Sequence, residues 1–78
     1  MENQEIIDMI EAGIEGAKAS VTGDGSHFDA VIVADAFEGK NTLARQRMVF
    51  ASLGDSITSG RLHNLNIKAM TPAESGAA

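Results

Sequence analysis

The chain has 78 residues, 44% apolar and 22% charged, a balance that fits one small folded domain and not a disordered chain. A domain of this size buries roughly 60% of the surface its unfolded chain exposes, which leaves little room for a deep substrate cavity. Cysteine, tryptophan and tyrosine are absent and three phenylalanines supply the only aromatic rings, so disulfides, zinc–thiolate sites and thiol nucleophiles within the chain are excluded.

In chain order, Ile6, Ile10 and Ile14 recur every four residues with acids between them, which predicts an amphipathic helix over residues 2–16. Gly13 and Gly16 mark its end. Residues 18–22 read as a short strand, Gly23-Asp24-Gly25-Ser26 as a turn, and Phe28 to Ala34 as the strongest strand, rich in β-branched residues. Two strands joined by a Gly-rich loop predict an antiparallel hairpin. Asp35 to Gly39 breaks the pattern. Asn41 or Thr42 then caps a helix over 42–53, with Leu43, Val49, Phe50 and Leu53 expected on one side. Asp55 to Ser59 forms a further short turn bearing Ile57, and Gly60 stops it. Leu62 to Ala69 alternates apolar and polar, predicting a half-buried third strand with Leu65 and Ile67 inward. Thr71-Pro72-Ala73-Glu74 opens a last helix, and residues 75–78 are expected to fray after a single domain over 1–74.

The resulting order, α-β-β-α-α-β, predicts an α+β fold: a three-stranded mixed sheet with helices over one face. The helical connection before the third strand permits a parallel pairing. No apolar run approaches the roughly 20 residues of a membrane span. The first five residues lack the basic start of a signal peptide, so a cytoplasmic protein is expected.

Charge is unevenly divided. Residues 1–38 carry nine acids against Lys18, whereas residues 39–78 carry five bases against Asp55 and Glu74, for a net charge of −5. A net acidic chain is a poor non-specific nucleic-acid binder, because phosphate affinity comes largely from Lys and Arg. Lys40, Arg45, Arg47, Arg61 and Lys68 nevertheless supply a local basic set able to meet an acidic partner or a phosphate.

His27, after the Gly-Asp-Gly-Ser turn, and His63, at the start of the third strand, are the two imidazoles. Two imidazoles cannot close a tetrahedral structural site, even with Asp24 nearby, and their spacing matches no zinc pattern. They suit either ordinary surface roles or a half-site completed from elsewhere, as in iron–sulfur centres where His replaces Cys on one iron. Other constellations are weaker. Gly13-Ile14-Glu15-Gly16 spells the GxxG of a KH nucleic-acid loop but holds an acid and closes a helix, so it reads as a terminator. Ser26, His27 and Asp29 have the composition of a catalytic triad, but sequence neighbours rarely converge as one. Phosphate-loop and dinucleotide fingerprints are missing, and a non-enzymatic role is expected.

Three segments together resemble the BolA family, most of all its bacterial IbaG branch. They are Gly23-Asp24-Gly25-Ser26-His27-Phe28 with the Val31–Val33 strand, Phe37-Glu38-Gly39-Lys40-Asn41 running into Arg45-Gln46-Arg47-Met48-Val49, and Arg61 through Glu74. The resemblance implies a class II KH-like fold and partnership with a monothiol glutaredoxin. In such pairs a [2Fe–2S] cluster is shared with thiolates of glutaredoxin and glutathione, and the chain binds no cofactor when alone. His63 and His27 fill the family's two ligand positions, while Lys40 and Lys68 fall on contact positions. The sequence departs from many relatives after Glu74, where Ser75 and a short tail replace an aromatic residue and a longer extension. Such a protein would serve iron–sulfur assembly, trafficking or iron and stress sensing. The alternative is a KH-like DNA-binding transcriptional regulator in stress response, using Lys40, Arg45, Arg47, Arg61 and Lys68. A third reading is a plain interaction module whose basic face docks an acidic partner.

Overall fold

The computed structural model describes residues 2–24, 26–54 and 64–76. The predicted turn at 55–59, the start of the predicted third strand, Arg61, His63 and the last two residues lie outside this range. Helix α1 runs from Asn3 to Gly13, where Glu5 Oε1 accepts the Glu2 N–H at 2.9 Å and satisfies one of the otherwise orphaned first-turn donors. It buries Ile6 and Ile10 completely. The helix stops three residues earlier than the isoleucine spacing predicts. Ile14 is already extended (φ −126°, ψ 112°), and Gly16 takes φ +72° to turn the chain toward the first strand, a conformation that favours glycine.

Strand β1 (Lys18–Gly23) and strand β2 (Phe28–Val33) form the expected antiparallel hairpin, with Gly23 opposite Phe28 and Lys18 opposite Val33. Strand β3 (Leu65–Met70) lies parallel to β2, Phe28 opposite Leu65 and Val33 opposite Met70, so the sheet order is β1-β2-β3. Alternation along β2 sends Phe28, Ala30 and Ile32 into the core and leaves Asp29 and Val31 exposed. The period of two thereby divides the sheet into a covered face and an open face.

Between β2 and the next helix, a 3-10 turn over Asp35–Phe37 buries Phe37 entirely. Helix α2 spans Thr42–Leu53, and its cap is Asn41, whose Oδ1 accepts the Ala44 N–H at 2.9 Å. Val49 and Leu53 face the core, but Leu43 is 55% and Phe50 41% exposed. The expected single apolar side is therefore split: the pair at i, i+4 packs on Ile6, Ile10, Ile32 and Phe37 in the core cluster, while Leu43 and Phe50 face away from it. Helices α1 and α2 approach closely at Gly13, where a Cβ would lie 2.5 Å from Ser52 Cβ.

The last helix, α3 (Pro72–Ser75), has the predicted Thr71 cap and Pro72 start. The Glu74 N–H donates to Thr71 Oγ1 at 3.2 Å and the Thr71 N–H to Glu74 Oε1 at 2.9 Å. Ser75, counted with the tail in the sequence, is the last residue of this helix: its Oγ donates to Pro72 O, and Gly76 closes the helix at φ +79°. Among the described residues no helix is long and apolar enough to cross a membrane.

Candidate functional site

The β1–β2 connection is built around Asp24. Its Oδ1 accepts the Ser26 N–H at 2.9 Å, the Ser26 hydroxyl at 3.0 Å and the His27 N–H at 3.0 Å. This Asx arrangement replaces backbone partners that a tight loop cannot supply. The bonds from Ser26 and then His27 favour the charged carboxylate and pull its pKa from 3.8 to about 2. The Asp24 N–H in turn donates to His27 O at 3.3 Å. A Cβ on Gly23 would lie 2.3 Å from that carbonyl and 2.8 Å from the Phe28 ring, so the loop closes only over glycine. His27 is thus an exposed side chain on an anchored backbone.

The parallel pairing brings a second segment to this end of the sheet. The Phe28 N–H donates to Asn64 O at 2.7 Å. One residue further in, Asn66 Nδ2 donates to Asp29 Oδ1 at 3.1 Å on the open face. Asp29 belongs to this cross-strand bond and not to a triad with Ser26 and His27. Among the described residues no three His, Asp or Glu side chains group as a metal site, and the chain holds no cysteine. Any thiolate ligand at this end of the sheet would have to come from another molecule.

The basic residues separate. Lys40, Arg47 and Lys68 are exposed, with Lys68 on the open sheet face beside Val31. Arg45 is engaged within the fold. Its Nε donates to Lys40 O at 2.9 Å, Nη1 to Ala69 O at 3.1 Å and to Glu74 Oε1 at 2.6 Å, and Nη2 to Glu74 Oε2 at 3.2 Å. Its guanidinium also lies 5.9 Å from the Phe37 ring centre. The hydrogen bond with Glu74 raises the Arg45 pKa and lowers that of Glu74 to about 2. Four of the five guanidinium N–H groups are used in these bonds. Sequence reading also missed Glu11, whose Oε2 accepts the Ala19 N–H at 3.0 Å. Nothing in the spacing of eight residues marks that contact.

An α+β domain with a three-stranded mixed sheet, helices on one face and a pinned histidine loop at the head of the central strand is the class of protein these observations define. The chain belongs to the BolA-like protein family, whose model matches residues 4–74. It is similar to the acid stress protein IbaG of Escherichia coli, 38% identical over 95% of this chain and 88% of that protein. Its structure resembles a bolA protein homologue from Coxiella burnetii, with a TM-score of 0.87, 36% identity and 97% of each chain covered. It also resembles the BolA domain of SufE1 from Arabidopsis thaliana, with a TM-score of 0.78 and 34% identity over 92% of this chain and 93% of that one.

Proposed function

We propose that this chain is a non-enzymatic partner of monothiol glutaredoxins and shares a [2Fe–2S] cluster with them. Thiolates of glutaredoxin and glutathione hold one part of the cluster, and the imidazoles of His63 and His27 complete it. The observation that carries this reading is the hydrogen bond from Phe28 N–H to Asn64 O at 2.7 Å. His27 and His63 each stand one residue ahead of a member of that bonded pair. Imidazole in place of thiolate on one iron raises a cluster's potential and suits a chain without cysteine. The BolA domain inside SufE1 supports a small module that works alongside, or joined to, other proteins. On this reading the protein acts in assembly, trafficking or sensing of iron, with binding in place of catalysis.

The DNA-binding alternative gains nothing from the geometry. Arg45 is tied to Glu74 and two backbone carbonyls, so the basic set offers fewer free charges to a phosphate backbone than its number suggests.

The test mixes this protein with a cluster-loaded monothiol glutaredoxin and glutathione, and records visible circular dichroism and native mass. A new spectrum with a one-to-one mass is expected. His63→Ala should abolish it and His27→Ala should change its shape or lifetime. An unchanged spectrum with the double variant removes the ligand assignment.

A further inference from the structure

The exposed side of α2 carries a ridge that the histidine end of the sheet does not use. Leu43, Arg47 and Phe50 fall at i, i+4 and i+7 and so share one helix face. Leu43 is 55% and Phe50 41% exposed, and Arg47 between them is exposed too. The ridge runs about 10 Å along the helix axis. From Lys40 to Gly54 there is no acidic residue, and the one base that is neutralised, Arg45, faces the other way toward Glu74. Arg47 lies between the two apolar side chains and Lys40 stands two residues ahead of the helix, so this segment is locally positive in a chain of net charge −5. The helix begins at the end of the sheet remote from His27, since Arg45 bonds to Ala69 near the end of β3 and His27 precedes the start of β2.

We propose that this ridge docks an acidic amphipathic helix of a partner protein, with apolar residues meeting Leu43 and Phe50 and carboxylates meeting Lys40 and Arg47. Charge selects the occupant. Anionic membrane would be drawn to the ridge but repelled by the nine acids of the N-terminal half. A second copy of the chain offers an acidic helix in α1, but that helix has its apolar face committed: Ile6 and Ile10 are 0% exposed. Ile7 and Met9 also pack against the core cluster, so α1 offers carboxylates with little free apolar surface. The small apolar area fits a weak, exchanging interaction and not a permanent interface.

The test titrates the 15N-labelled protein with a 20-residue helical peptide that repeats leucine at i, i+4 and i+7 and places glutamate on both sides of that stripe. Shifts confined to Lys40, Leu43, Arg47, Phe50 and their neighbours are expected. The double variant L43S/F50S, which changes only exposed positions, should weaken the peptide by tenfold or more, and Arg47→Glu should weaken it as well. A peptide with lysine in place of glutamate should not bind. Equal binding of the lysine peptide, shifts elsewhere, or an unchanged affinity for L43S/F50S would overturn the proposal. So would a solution dimer that L43S/F50S dissociates, or preferential binding to phosphatidylglycerol vesicles. The proposal stands apart from cluster sharing: His27→Ala should leave the peptide affinity unchanged, and L43S/F50S should leave the cluster spectrum unchanged.

Discussion

Arg45 and Glu74, 29 residues apart in sequence, meet in two side-by-side hydrogen bonds, Nη1 to Oε1 at 2.6 Å and Nη2 to Oε2 at 3.2 Å. The same guanidinium reaches Ala69 O, so one side chain joins α2, β3 and α3. Glu74 also accepts the Thr71 N–H, which makes the start of α3 part of the same network. A planar fork is needed for this geometry, and lysine has none. Arg45→Lys should therefore loosen α3 nearly as much as Arg45→Ala. Hydrogen exchange should show faster amide exchange at Ser75 and Gly76 in both variants, with a lower melting temperature. Unchanged exchange in Arg45→Ala would show that α3 is held by other contacts.

Acid should weaken the fold through two carboxylates. Glu74 titrates at about 2 instead of 4.5, chiefly through the bond from Arg45 and then that from the Thr71 N–H. Asp24 titrates at about 2 instead of 3.8, through the bonds from Ser26 and His27. Both folded values lie below the ordinary ones. Their contribution is therefore complete above pH 4.5 and is lost as pH falls from there toward 2. Both groups are solvent-accessible, so screening keeps the effect modest. Urea midpoints measured from pH 6 to pH 2 should fall more steeply for the wild type than for the double variant D24N/E74Q. Parallel curves would mean that other groups govern the acid limb.

Gly13 sets the spacing of the two long helices. Alanine there would gain roughly 1 kcal/mol of helix propensity over glycine, but its Cβ would lie 2.5 Å from Ser52 Cβ and 2.9 Å from Ser52 Cα. Backbone must move to relieve the second contact, and overpacking of this kind costs about 1–3 kcal/mol. Net destabilisation of Gly13→Ala is expected in urea unfolding. Ser52→Gly should restore part of the loss, giving a non-additive double-mutant cycle. Additive effects would place the strain elsewhere.

The loop that presents His27 should respond to Asp24 without involving the core. Asp24→Ala removes the acceptor of three hydrogen bonds, while Ile10, Ile32 and Phe37 keep their packing. Amide spectra should change at Ser26 and His27 and little beyond Phe28. The cluster spectrum with glutaredoxin should become shorter-lived, as for His27→Ala. A cluster lifetime equal to wild type would mean that imidazole placement does not depend on this turn.

Much of the fold is legible because local chemistry and tertiary packing agree. The β-branched run at Phe28–Val33, the Asn41 cap and the Thr71-Pro72 start each specify their element from a few neighbouring residues. Helix α2 is only half legible. Leu43, Val49, Phe50 and Leu53 are equally apolar, and sequence gives no reason why Val49 and Leu53 are buried while Leu43 and Phe50 are exposed. That choice belongs to the direction from which α1 and the sheet approach. Arg45 shows the same limit for charge. It looks like its neighbour Arg47 in sequence, yet it is an internal tie because Glu74 returns to it from the far end of the chain. Asp24, by contrast, is legible as a turn residue, and the three hydrogen bonds it accepts from its own loop are what that turn consists of.

Glu11 gives the sheet a further property. Its carboxylate occupies the Ala19 N–H on β1, which among the described residues has β2 as its single strand neighbour. An incoming strand would have to displace a charged side chain before it could extend the sheet from that side. The guard and the amide it covers are only eight residues apart, so they can meet as soon as α1 and β1 come together. Protection against intermolecular strand pairing therefore rests on a contact local in sequence, whereas the parallel β2–β3 pairing joins segments 37 residues apart.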